Sequence, residues 1–217
     1  MDELRRMDSP RALAMLMSRP KSGVPVDMAR LNADSVVFEV GARTGRLVEA
    51  LRGVPGLADT MVYAIEPSQR LARRLRELRL SRCMVIEAAV VGHGDSTGTV
   101  EFCEPNGLDG WGNIVGDYAT HDHTVYPVRA LDINTLLREC NISGYVDWMA
   151  MDVEGAEADI LRHMHPDTAN RILQISVESH PAHAKPKQIA AWLEKLGFRV
   201  SHFRDSGDTF VYGWREQ

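Results

Sequence analysis

A short stretch of the chain has residue types and spacing suited to a cationic ligand that carries no phosphate. In FEVGARTG (38–45) an apolar run reaches Glu39, and Gly41 and Gly45 then bound a turn that contains Arg43. Glu66 closes VYAIEPS (62–68), with Pro67 beside it. Glycine between a strand and a helix lets a ligand approach the main chain, because no Cβ stands in the way and unusual dihedrals are open to it. Glu39 would repel a pyrophosphate, whereas an ammonium group and a cationic sulfur would be drawn in. The spacing from Gly41 to Gly45 is GxxxG, not the GxGxxG of nicotinamide and flavin sites. Glu66, about 20 residues on, stands where an acidic residue at the end of a second strand accepts hydrogen bonds from ribose hydroxyls. The pair points to an adenosine cofactor without phosphates, and S-adenosylmethionine is the candidate.

A second group comes from MDVEGAE (151–157) and QISVESH (174–180), each of which ends an apolar run. Ligands of a doubly wound sheet sit beyond the carboxyl ends of its strands, so Asp152, Glu154, Glu178 and His180 are expected near Glu39 and Glu66. Asp152 or His180 could take a proton from an acceptor hydroxyl, the imidazole having the more suitable pKa near neutrality. Alternatively, Asp152, Glu178 and His180 could hold a hard divalent cation such as Mg²⁺ that acidifies the acceptor. Glu157 reads as a carboxylate placed for helix-start electrostatics.

These residues need an alternating α/β frame. From residue 36 onward short apolar runs alternate with amphipathic stretches, which predicts a mostly parallel sheet covered by helices on both faces. Strands are expected at 36–40, 61–65, 84–89, 146–151 and 172–177. Helices are expected at 44–52, after Pro67 in an opening position, at 133–140, from about Ala156, and through Ile189, Trp192, Leu193 and Leu196, stopped by Gly197. Runs at 198–203 and 209–214 read as a C-terminal antiparallel hairpin, completing the seven-stranded sheet of the class I methyltransferase (Rossmann-like) fold. The alternation breaks over 92–127, an insert with strands at 99–103 and 125–129. It is expected to face the substrate, its 104–124 segment shaping the acceptor pocket and leaving the cofactor alone. Within it, His121 and His123 around Asp122 read as polar surface, and Trp111 as a lid aromatic or a residue tucking the loop onto the core. Residues 1–30, with a helical pattern through 12–17, read as an extension to a 31–217 domain, covering the cofactor or forming a homodimer contact.

Composition excludes several classes. The 217 residues suit one domain, and a net charge of −5 offers no broad footprint for nucleic acid. The arginines from Arg70 to Arg82 alternate with Leu71, Leu75 and Leu78, the pattern of a solvated helix face. Three cysteines, Cys83, Cys103 and Cys140, are too few and scattered for a disulfide framework or a zinc site. The opening MDELRRMDSP lacks the apolar core of a signal peptide, and no stretch is long enough to span a membrane, so a cytoplasmic protein is expected.

The motifs FEVGARTG, VYAIEPS, EAAVVG (87–92), VRALDINTLL (128–137), MDVEGAE and the pair Glu178 and His180 stand in the order found in the FkbM-type methyltransferase family, which the chain resembles over roughly 36–180. The resemblance implies S-adenosylmethionine as cofactor and O-methylation of a hydroxyl on a sugar or secondary metabolite. Glu87 and Ala88, after the third strand, are then expected at the adenine edge. The family usually has Asp at the position of Glu39 and often Asn at that of Arg43, so Arg43 either pairs with the cofactor's carboxylate or faces solvent. Competing readings are a non-catalytic cofactor-binding scaffold of the same fold and, less favoured by the glycine spacing, a nicotinamide oxidoreductase.

Overall fold

A computed structural model describes residues 22–93, 98–106, 112–114, 122–205 and 207–216, together with the backbone of 14–19. Trp111 and His121 lie outside the described residues. The central sheet is built from β3 (Val36–Val40), β4 (Met61–Ile65), β5 (Cys83–Ile86), β9 (Trp148–Met151), β10 (Gln174–Glu178), β11 (Arg199–Asp205) and β12 (Asp208–Trp214). Their order is β11-β12-β10-β9-β3-β4-β5, and β12 alone runs against the other six. This is the expected mostly parallel seven-stranded sheet with a C-terminal antiparallel hairpin. Order reverses beside β3, so its carboxyl end and that of β9 flank the crevice where such sheets bind ligands.

Side chains alternate across the strands, and the residues sort accordingly. Phe38, Val40, Met149, Met151, Ile175 and Val177 point into one core, which is closed by α3 (Ile133–Glu139), α4 (Glu157–His163) and α6 (Pro186–Lys195). Val37, Val62, Trp148 and Ala150 point into the other, against α1 (Arg46–Arg52) and Leu75 of α2 (Gln69–Glu77). A short α5 (Pro166–Ala169) precedes β10 and was not foreseen. The third expected strand is divided: β5 ends at Ile86 and β6 (Ala89–Val91) leaves the main sheet to pair with β8 (His123–Asp132), which also pairs with β7 (Thr99–Pro105). Pro67 does not open α2 but precedes its cap, Ser68, whose side chain accepts from the Leu71 N–H.

The N-terminal segment corrects a further expectation. Residues 14–19 are not helical but form β1 (Ala14–Arg19), antiparallel to β2 (Ser22–Val26). Apolar residues at 14–17 satisfy either period, and tertiary contact decides for the strand. β2 is held to the main sheet by the Asp27 N–H on Gln174 Oε1 at 2.9 Å, the Gly23 N–H on Asp205 Oδ2 at 3.0 Å, and the Ser176 hydroxyl on the Pro25 carbonyl. Among the described residues no helix is long and apolar enough to cross a membrane.

Ser176 also accepts from Nε1 of the wholly buried Trp148 at 2.9 Å. Ser176→Ala leaves that indole N–H without its partner and cuts a tie to the hairpin. A stability loss of about 1–3 kcal/mol is expected in urea unfolding.

Candidate active site

The turn after β3 is tied to both neighbouring strands. The N–H groups of Gly41 and Ala42 donate to the Ile65 carbonyl at 2.9 and 3.0 Å, and the Asp152 N–H donates to the Val40 carbonyl at 2.9 Å. Gly41 has φ +89°, and a Cβ there would stand 1.8 Å from the Asp152 carbonyl oxygen. Only glycine lets the β3 turn and the end of β9 come this close. Gly45, φ +79°, caps α1 and lies against Leu75, where a Cβ would meet Cδ2 at 2.6 Å.

Glu66 is buried, and its carboxylate is already shaped by the main chain. Oε2 accepts from the Arg43 N–H at 2.7 Å and Oε1 from the Ser68 N–H at 2.8 Å. Burial pushes its pKa up; the N–H groups of Ser68 and Arg43 oppose this and Glu104 adds to it, leaving it at about 7. Glu39 is 8 % exposed and stands in register between Ala64 and Ala150, small neighbours that leave room for its side chain. Its Oε2 is buried with no hydrogen-bond partner among the described residues. Burial first, then the charges of Glu66 and Asp152, hold its pKa well above the usual carboxylate range.

Two clefts meet at Gly41 and Asp152. The first, about 550 Å³ counting its open mouth, is lined by Glu66, Pro67, Ala88, Phe102, Asn113 and Glu154 among others. The second, more open, carries Val24, Glu39, Glu178 and Phe210. Gly41, Arg43 and Asp152 line both. The structure therefore brings together Glu39, Gly41, Arg43, Glu66, Pro67, Ala88, Asp152 and Glu178, as the sequence suggested. Gly45 and Glu87 are not brought in. Gly45 is a packing and capping residue, and Glu87 turns to the surface to pair with Arg76 at 2.7 Å.

His180 is placed differently from the expectation of a free base. Its Nδ1 lies 2.8 Å from Glu157 Oε1, and its Nε2 lies 3.2 Å from Glu154 Oε2 and 3.6 Å from Asp152 Oδ1. Burial alone would lower its pKa, but the hydrogen bonds to Glu154 and Glu157 and the charges of Glu157 and Asp152 outweigh it and carry it up to about 11. Both ring nitrogens face carboxylates. Glu157, read as a helix-start carboxylate, is wholly buried and also accepts from the N–H groups of Val153 and Gly155, both at 3.1 Å. Nothing in its residue type or spacing marks that burial. Asp152, Glu178 and His180 do present ligand atoms within 4.8 Å of one another. With Nδ1 on Glu157, the ring would present Nε2 to a cation that displaces its proton, so the donor set fits the cation reading.

The 104–124 segment was expected to leave the cofactor alone; its Glu104 and residues 112–114, together with Phe102 just before it, line the same cleft as Glu66 and Ala88. Glu104, missed in the sequence, accepts from Ser68 Oγ and Arg70 at 2.9 Å each and from the Tyr126 hydroxyl at 2.6 Å. It fastens the insert to the start of α2.

The methyltransferase FkbM domain matches residues 39–200, most of the chain. The chain belongs to the FkbM methyltransferase family. It is an S-adenosylmethionine-dependent methyltransferase with the class I fold. Among solved structures, an FkbM methyltransferase from Methylobacillus flagellatus KT is similar, with TM-score 0.55 and 14% identity over 85% of this chain and 44% of that one. Fibrillarin from Aeropyrum pernix, solved with natively bound S-adenosyl-L-methionine, gives 0.50 and 12% over 87% and 69%. The fibrillarin pre-rRNA processing protein of Methanococcus jannaschii gives 0.50 and 17% over 95% and 72%. At these identities the likeness is one of fold. No curated protein matches the sequence.

Gly41→Ala should be strongly destabilising, by roughly 3 kcal/mol or more, because a left-handed φ and a main-chain clash coincide at one residue. Thermal unfolding measures this, and a melting point equal to the wild type would show that the two strand ends do not meet as described.

Proposed function

We propose that this methyltransferase acts on a hydroxyl of a small molecule, a sugar or secondary metabolite. The observation that carries the reading is the position of Asp152, which lines both clefts with His180 Nε2 3.6 Å from its Oδ1. The first cleft suits the adenosine part of S-adenosylmethionine. Glu66 would take the ribose hydroxyls, and Pro67 and Ala88 would flank the base. The turn at Gly41 and Arg43 would carry the methionine part, and the orphaned Glu39 Oε2 suits an ammonium group. When bound, the cofactor supplies an electrophilic methyl carbon on a sulfonium.

The chain's own residues do the rest. Asp152 accepts the proton of the acceptor hydroxyl at a carboxylate oxygen, the work of a general base. His180, its ring fixed by Glu154 and Glu157, stands 3.6 Å from Asp152 Oδ1 and shapes the charge around that carboxylate without bonding it. Alignment of the acceptor from the second cleft supplies the other part of the acceleration. The net charge of −5 and the pairing of Arg70, Arg73 and Arg76 with Glu104, Glu77 and Glu87 support a small acceptor over a nucleic acid.

Asp152→Asn keeps size and removes the base. Against a panel of hydroxylated acceptors, kcat should fall about 10²–10⁴-fold while the affinity for S-adenosylhomocysteine stays within about threefold. EDTA separates the two routes: turnover lost and restored by Mg²⁺ supports a metal-assisted acceptor, and unchanged turnover leaves Asp152 as a direct base. Turnover of the Asn variant at the wild-type rate would reduce Asp152 to a structural carboxylate, and binding without turnover on any acceptor would favour a scaffold.

The pKa of Glu66 sets a second expectation. Its folded value, about 7, lies above the ordinary one, so the carboxyl is neutral below that pH and accepts ribose hydrogen bonds poorly. Affinity for S-adenosylhomocysteine should rise as pH passes upward through about 7 and then level off. Glu66→Gln should remove this component of the pH dependence and weaken binding at pH 8 by about 1.5–3 kcal/mol. Calorimetry at several pH values decides it.

A further inference from the structure

We propose that Glu104, on β7, is a positioning residue for S-adenosylmethionine: it ties the cleft wall supplied by the insert to the loop that presents Glu66 to the ribose. The inference rests on the assignment of the first cleft to the cofactor's adenosine. Two segments far apart in the chain line that cleft. One is the end of β4 and the loop after it, with Glu66, Pro67 and Ser68; the other is the insert, with Phe102, Glu104 and Ile114.

The two meet at Ser68. Its N–H donates to Glu66 Oε1 at 2.8 Å, its Oγ accepts from the Leu71 N–H at 3.3 Å, and its hydroxyl proton goes to Glu104 Oε1 at 2.9 Å. A hydroxyl has one proton, so giving it to Glu104 leaves a lone pair for the cap of α2. The residue that holds one oxygen of Glu66 is therefore oriented from the insert. Glu104 also accepts from Arg70 at 2.9 Å on the same oxygen and from the Tyr126 hydroxyl at 2.6 Å on Oε2. Burial and the bond to Glu104 push the Tyr126 hydroxyl above its ordinary pKa, so it stays a donor. Tyr126 stands opposite Phe102 in the β7–β8 ladder, and the two rings meet edge to face with centroids 5.8 Å apart. Phe102, Glu104 and Tyr126 share one face of this pair of strands, and the carboxylate fastens that face to Ser68.

A full charge at this place works against Glu66. The groups that bear on Glu66 electrostatically are Glu39 on β3, Arg43 in the turn after it, Tyr126 on β8 and Glu104; burial is the main cause of its raised pKa, and Glu104 adds to the rise. A carboxamide at 104 would keep an acceptor for Ser68 and Arg70 without that repulsion. Gln and Ala at this position therefore separate the hydrogen bonds of Glu104 from its charge.

The test measures affinity for S-adenosylhomocysteine by calorimetry at several pH values on the wild type, Glu104→Ala and Glu104→Gln, with thermal unfolding to check that each is folded. Above neutral pH the Ala variant should bind about tenfold more weakly or worse, and the Gln variant should stay within about threefold of the wild type. The Gln variant should also move the rise in affinity to lower pH, because Glu66 has lost a like charge, a change that a merely structural role would not produce. An Ala variant that binds as the wild type does, a Gln variant as weak as the Ala variant, or a Gln variant with the wild-type pH profile overturns the role of Glu104. If the Ala variant does not fold, the Gln profile decides alone. Wild-type protein that does not bind S-adenosylhomocysteine overturns the assignment of the cleft itself, a result distinct from the others.

Discussion

Much of this site hangs on one buried carboxylate. Glu157 has no solvent contact, and it gathers the N–H groups of Val153 and Gly155 together with Nδ1 of His180. The first two bonds close the turn that leaves β9, and the third draws the segment after β10 toward it. Buried charge is costly unless it is paired and hydrogen-bonded, and here both conditions are met. Asp152 and Glu154 sit on that turn, so their distances from His180 follow from the arrangement around Glu157.

The same end of the sheet is crowded with acids. Glu39, Glu66 and Asp152 are close enough that the first is disfavoured as an anion by the other two as well as by burial. Such crowding works against the fold when the site holds no cation, and it favours any positively charged ligand that enters. The alanines beside Glu39 and the close approach at Gly41 leave space there instead of filling it. Strain and like-charge repulsion at a sheet end are the kind of local inconsistency that functional sites carry.

The frame was largely legible in the sequence because its signals are local. β3 and β4 fall at the expected residues, since each is a short, mainly apolar run that closes on a turn former, Gly41 after β3 and Pro67 after β4. What escaped depends on contacts between distant segments. Residues 14–17 fit two periods, and only β2 lying on the sheet selects the strand. Glu87 resembles a ligand residue until Arg76, on the preceding helix, is seen to claim it. His180 has the residue type of a base, yet Glu154, Glu157 and Asp152 after β9 surround it and push its pKa up. The burial of Glu157 and the bonds of Glu104 across the insert are likewise tertiary facts with no sequence period.

The β1–β2 hairpin lies far from its partners along the chain. Gly23 bonds to Asp205, Asp27 to Gln174, and Arg30 to the carbonyl of Arg215 at 2.6 Å. During synthesis this segment emerges long before the strands that receive it. It must stay undocked until β10, β11 and β12 are assembled, and contacts of such sequence separation form late and slow the folding of a chain. Val24, which lines the second cleft, therefore reaches its place only with the last strands. Completion of the second cleft is thus a checkpoint on the whole sheet: a chain truncated before β12 would keep the turn at Gly41 and lack Phe210 on the wall opposite it.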